Sequence, residues 1–131
     1  MARSVTPHLM FEGSAEAAMN LYVSTFPGSR VISIARYGPE VPDFDGKVKI
    51  AVFELSGQRF NCIDSPVKHG FTFTGSISLF VECESHSEQE RILGILSEGG
   101  SVQMPLDNYG FSTRFAWITD RYGVNWQLNL A

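Results

Sequence analysis

The chain has 131 residues, of which 44% are hydrophobic and 12% aromatic, enough for one domain to bury a core without a disulfide or metal staple, so disordered and fibrous classes are excluded. Fourteen acidic residues against ten basic ones leave a net charge of −4, and the scattered basic residues form no footprint for nucleic acid. No apolar run approaches the roughly 20 residues of a bilayer span, and the stretch from Met1 to Pro7 has no apolar signal core, which predicts a cytoplasmic protein with neither membrane nor nucleic-acid partner.

In chain order, His8 to Glu12 is a short apolar run closed by Gly13 and Ser14, and Ser14 with Glu16 and Ala17 has the form of a helix start. Ala17, Ala18, Leu21, Tyr22 and Phe26 recur at helical spacing until Pro27 and Gly28. Strands are predicted at 30–37, 47–55 and 58–63, with Ser56-Gly57 as a tight turn and a breaker-rich loop from Gly38 to Gly46. The first half reads β-α-β-β-β. The second half repeats that order: a strand from Ser76 to Glu82, a helix from about Ser87 that stops before Gly99-Gly100, and strands at 101–104, 114–119 and 124–130.

The repetition extends to single residues. Tyr37-Gly38 and Tyr109-Gly110 fall at the same point after each helix, Gly57 and Gly123 make the corresponding turn, and Asn61 and Gln127 each lie four residues beyond those glycines. An internal duplication follows, with modules 5–64 and 75–131 making up a single domain 1–131. Strand alternation assigns the faces. Val124, Trp126, Leu128 and Leu130 oppose Asn125, Gln127 and Asn129. Ile77, Leu79 and Val81 pack on the helix, leaving Ser76, Ser78 and Phe80 on the inner face, and His8 and Met10 oppose Leu9 and Phe11. Cys62 and Cys83 lie in apolar runs without Cys-x-x-Cys spacing and read as reduced core thiols.

Four segments carry a resemblance across the whole chain: Thr6 to Gly13 with Ala15 to Ala18; Tyr22 to Phe26 through Ser29 to Gly38; Phe73 to Cys83; and Trp117 to Gln127. Together they are similar to the vicinal oxygen chelate superfamily of glyoxalases, bleomycin-resistance proteins and dioxygenases, and most closely to its PhnB-like, demethylubiquinone methyltransferase-like branch. The resemblance implies an α+β fold of two tandem β-α-β-β-β modules, with mixed curved sheets around a cleft, and a homodimer.

Superfamily enzymes hold a divalent ion through four strands, with imidazole or carboxylate ligands around open positions. Counting from the turn glycines puts those positions near Pro7, Asn61, Ser76 and Gln127, or His8 after a one-residue slip. Proline offers no ligand, hydroxyl and amide are weak ones, and His8, His69 and His86 have no paired spacing, so no metal and no cofactor are expected. A methyltransferase built on a parallel βαβ unit needs a Gly-rich turn for S-adenosylmethionine, and the nearest match, Gly13 to Glu16, has one glycine.

The candidate ligand-binding residues in the cleft are His8, Asn61, Asp64, Ser76, Ser78, Tyr109, Arg114, Trp117 and Gln127. His8 has a possible base role, Asp64 a turn-capping alternative before Pro66, and Arg114 a guanidinium suited to an anion. Tyr109, Phe111, Trp117 and Phe80 suit an aromatic wall, and Glu88 to Glu90 form the acidic first turn of a helix. A Ser76-His8-Asp64 triad lacks a Gly-x-Ser-x-Gly elbow. The expected function is metal-independent binding of a small apolar or aromatic molecule. Its alternatives are a metal-dependent lyase, isomerase or dioxygenase, and a non-catalytic interaction dimer.

Overall fold

The computed structural model describes residues 1–131 and divides into two compact units, residues 1–69 and 70–131. In unit 1, β1 (His8–Phe11), α1 (Ala15–Thr25), β2 (Arg30–Arg36), a 3-10 turn at Pro42–Phe44, β3 (Val48–Leu55) and β4 (Gln58–Asp64) build a sheet of order β1-β4-β3-β2. In unit 2, β5 (Leu79–Glu82), α2 (His86–Ser97), β6 (Ser101–Asp107), β7 (Arg114–Thr119) and β8 (Asn125–Leu130) build β5-β8-β7-β6. Each sheet is antiparallel except for its first strand, which pairs parallel with its last. This is the expected α+β architecture of two β-α-β-β-β sets.

In unit 1 the alternating apolar residues Ala51, Phe53, Leu55, Phe60 and Cys62 are buried, as are Ala15, Ala18, Met19 and Tyr22 of α1. The Cys62 thiol lies 4.0 Å from the Met19 sulfur, which fixes this as the helix-covered face. Burial pushes the Cys62 thiol up to about 12, with nearby Asp64 adding to the effect. In unit 2, Ile92 and Leu96 of α2 are buried with Ala116, Ile118, Trp126 and Leu128 of β7 and β8. Gln89 is completely buried and donates to the carbonyls of Arg114 (3.0 Å) and Leu128 (3.1 Å), so it ties α2 to two strands. It belongs to the core, although its neighbours in the acidic first turn are solvated, because its position on the helix turns it toward the sheet.

The two helix starts differ. Ser85 caps α2 through its own hydroxyl, which accepts from the Glu88 amide, while the Glu88 carboxylate accepts from the Glu84 amide, the reciprocal arrangement of a capping box. Ser14 holds the same position on α1 but its side chain makes no capping bond. Asp64, at the end of β4, supplies the acceptor instead, taking the amides of Gly13 (2.8 Å) and Ala15 (2.9 Å) on Oδ1 and that of Val48 (3.1 Å) on Oδ2.

The β3–β4 turn is closed by Ser56 and Gly57, both at positive φ (48° and 89°), as a two-residue hairpin turn requires. Its counterpart is one residue longer: Asp120 and Val124 bracket Arg121, Tyr122 and Gly123, with Gly123 at φ 90°. β5 begins only at Leu79, so Ile77 does not pack on the helix as alternation suggests but is 72% exposed. β6 runs through Pro105 to Asp107, which is tolerated because β6 is an edge strand.

Candidate functional site

The side chains that point away from each helix form a distal face, and strand register places them in rows. In unit 1, His8 lies opposite Asn61, which lies opposite Val52, and Met10 lies opposite Ile63. His8 is exposed and Asn61 half-buried. A further imidazole, His69, contacts the Ser65 hydroxyl at 3.0 Å in the loop after β4.

In unit 2 the distal face carries three rows. Ser101, Thr119 and Asn125 make a polar row, in which Thr119 and the Trp117 indole both donate to the Asn125 carbonyl oxygen at 2.8 and 3.0 Å. Phe80, Gln127, Trp117 and Met104 make the next, with Gln127 donating to the Ser78 hydroxyl at 3.0 Å. Glu82, Asn129, Phe115 and Asp107 make the last, with Asn129 donating to the Glu82 carboxylate at 3.0 Å.

Around Phe115, which is buried, the rings of Phe80, Tyr109 and Phe111 gather at centroid distances of 6.4, 6.0 and 4.8 Å. Phe80 and Phe111 remain 55% and 63% exposed, so this end of the sheet offers aromatic surface that its own unit does not cover. Four buried polar atoms lack partners, Gln89 Oε1, Ser112 Oγ, Arg114 Nη1 and Asn129 Oδ1, all in unit 2. Of these, Asn129 stands on the distal face.

Of the sequence-predicted site residues, His8 and Asn61 come together in unit 1 and Ser78, Trp117 and Gln127 in unit 2, while Tyr109 packs against Phe111 and Phe115. Three depart from expectation. Asp64 faces the helix side, is buried, and spends both oxygens on backbone amides, which withdraws it from any ligand site. Arg114 pairs with Glu90 of α2 at 2.8 Å and so turns from the distal face. Ser76 precedes β5, is exposed, and bonds the Thr74 hydroxyl at 2.7 Å. Glu82 and Asn129 stand on the same face but were not among the predicted contacts, although alternation had already put Asn129 with Asn125 and Gln127. Their signal was the alternation itself, since Glu82 follows Phe80 and Asn129 follows Gln127 at a spacing of two.

The implied metal can be tested on the donors. Register, rather than counting, identifies the residues opposite the two amides as His8 and Phe80, replacing Pro7 and Ser76. Neither set fits a divalent ion, the imidazole and amide of unit 1 or the phenyl ring and amide of unit 2, and no group of three His, Cys, Asp or Glu side chains stands together anywhere in the structure. Nor does the β1–α1 turn offer a cofactor cradle, because the Gly13 and Ala15 amides are taken by Asp64. The strand after α1 lies at the opposite edge of the sheet from β1, so no adjacent parallel βαβ pair is formed.

The family described as 3-demethylubiquinone-9 3-methyltransferase matches residues 3–129. A Bacillus cereus PhnB protein, described as a candidate 3-demethylubiquinone-9 3-methyltransferase, is 49% identical over 98% of this chain and 100% of its own, with a TM-score of 0.95. The Pseudomonas aeruginosa protein PA1353 is 29% identical over 98% of each chain, with a TM-score of 0.85. The fosfomycin resistance protein FosX of Listeria monocytogenes, solved with Mn(II) and a dihydroxypropylphosphonic acid, is 12% identical over 98% of this chain and 93% of its own, at a TM-score of 0.61. That last likeness is one of fold alone. No curated protein matches the chain.

Proposed function

The chain belongs to the 3-demethylubiquinone-9 3-methyltransferase-like (PhnB) family, and from that premise we propose that it binds a small apolar or aromatic molecule without a metal. The observation that carries the reading is the juxtaposition, on the distal face of unit 2, of exposed rings with oriented amides. Phe80 and Phe111 offer flat apolar area, and Gln127, held by Ser78, offers a carbonyl oxygen and the remaining amide proton beside Trp117. Binding sites of this kind combine mostly apolar walls with a few placed polar groups. Ser78, Tyr109, Trp117 and Gln127 are the contacts we assign to it, and His8 with Asn61 is a smaller polar counterpart on unit 1.

Titration of the purified protein with Ni²⁺, Zn²⁺, Mn²⁺ and Fe²⁺ by calorimetry separates this from a chelating lyase, isomerase or dioxygenase. We expect no tight stoichiometric uptake, and one ion per chain at sub-micromolar affinity would favour the enzyme. We further propose a homodimer in the cytoplasm, on the family likeness; no helix is long and apolar enough to cross a membrane. A monomer mass in light scattering at micromolar concentration would contradict the dimer.

A further inference from the structure

We infer, building on the binding role proposed above, that the ligand of unit 2 carries a positively charged amine on its apolar or aromatic body, and that the amine sits at the row of Glu82, Asn129, Phe115 and Asp107. Charge is the first argument. Residues 1–69 hold seven basic and seven acidic side chains and balance, whereas residues 70–131 hold three arginines, no lysine and seven carboxylates, so the whole net charge of −4 resides in unit 2.

Those arginines are not available to the distal face. Arg114 pairs with Glu90 at 2.8 Å, Arg121 reaches Glu98 at 3.9 Å and its carbonyl at 3.1 Å, and Arg91 belongs to α2 on the other side of the sheet. Glu82 and Asp107, both exposed, therefore flank the Asn129–Phe115 pair with no cationic partner from their own unit.

Asn129 is the second argument. It is only 9% exposed and its amide nitrogen is committed to the Glu82 carboxylate, yet its carbonyl oxygen has no donor. A buried acceptor without a donor costs free energy, and a bound ammonium supplies the missing proton. The amide could not reverse without turning its oxygen onto the carboxylate. The rings are the third argument, since the faces of Phe80, Tyr109 and Phe111 attract a cation electrostatically and are gathered around Phe115 in this same row. The acceptors outnumber the donors here: the Glu82 and Asp107 carboxylates and the Asn129 carbonyl oxygen face one Asn129 amide, which already donates to Glu82, and the Tyr109 hydroxyl, which donates to the Pro105 carbonyl.

The test is an amide NMR titration of the whole protein with three probes that share a phenyl body: 2-phenylethylammonium, 2-phenylethanol and 3-phenylpropanoate. The ammonium should bind about tenfold more tightly than the alcohol, the carboxylate least, with the largest shifts at Glu82, Phe115 and Asn129 and weakening by salt for the ammonium alone. Glu82→Gln combined with Asp107→Asn, both at exposed positions, should abolish the preference for the ammonium over the alcohol. An alcohol that binds as well as the ammonium, or a preference that survives the double substitution, overturns the amine assignment and leaves small-molecule binding standing. No shifts on this face from any probe at millimolar concentration overturn both.

Discussion

The two units repeat one plan, and their differences show what the plan leaves free. Ser29 and Gly100 occupy the same place, one residue before the strand that follows each helix. Ser29 uses its hydroxyl to accept the Ser56 amide at 3.2 Å, while Gly100 packs so closely on the Thr119 carbonyl and Asp120 backbone that a Cβ there would clash. The helix starts diverge likewise, α2 closed by its own Ser85 and α1 by a carboxylate 49 residues away from Ala15 in sequence. Distal faces diverge most: unit 1 presents a lone imidazole beside an amide, and unit 2 an aromatic and amide surface ending in carboxylates. Elements that build the sheet are held to the plan, and the faces that the helices do not cover are not.

That contrast can be broken at graded strength. Gly100→Ala should cost the most, because both colliding groups are backbone, and we expect a fall in stability of about 3 kcal/mol or more by urea denaturation. Ser29→Ala, the matching change in unit 1, should cost only about 1 kcal/mol. Equal effects would contradict the difference in packing drawn between the two positions. Asp64→Ala should cost about 3 kcal/mol, since three amides lose their acceptor together, whereas Ser85→Ala should cost about 1 kcal/mol, the usual value of one N-cap. Reversal of that order would contradict the assignment of Asp64 as the cap of α1.

The thiols give a pH-dependent comparison. Burial raises Cys62 to about 12 and Cys83 to about 11, the latter with help from Glu88 and Glu82. Both contribute stability that is complete below the unfolded thiol value near about 8.5 and is lost as pH rises toward those folded values. The native protein should resist a thiol-specific reagent at pH 8 and react at both sites once unfolded; rapid native labelling would contradict the burial of these groups. The smallest effect expected on stability is that of Gln127→Ala, which should leave the melting temperature nearly unchanged while weakening binding of an aromatic ligand. Undiminished affinity removes Gln127 from the site.

Much of this was legible in the sequence because period-2 alternation and breaker residues are local signals. The faces of β8, the order of elements and the turn glycines all follow from them. What was not legible depends on partners distant in sequence. Asp64 reads as a turn cap or a ligand contact until Gly13, Ala15 and Val48 arrive around it, and Arg114 reads as an anion site until Glu90 of α2 meets it. The pairing of His8 with Asn61 and of Phe80 with Gln127 is a matter of register and not of distance along the chain, so counting from glycines does not give it. Ile77 obeys the alternation but falls before β5 begins, so its predicted burial does not occur. The family likeness, by contrast, was carried by short local segments of strand, turn and α1.

The most direct measurement is a crystal structure of the protein soaked with 2-phenylethanol or grown from material purified without added ligand. Difference density lying against Phe80 and Trp117, within hydrogen-bond distance of the Gln127 amide and with no metal peak, is the predicted result. A distal face of unit 2 without density, or a peak bonded by a divalent ion at Asn61 or Gln127, would contradict the account.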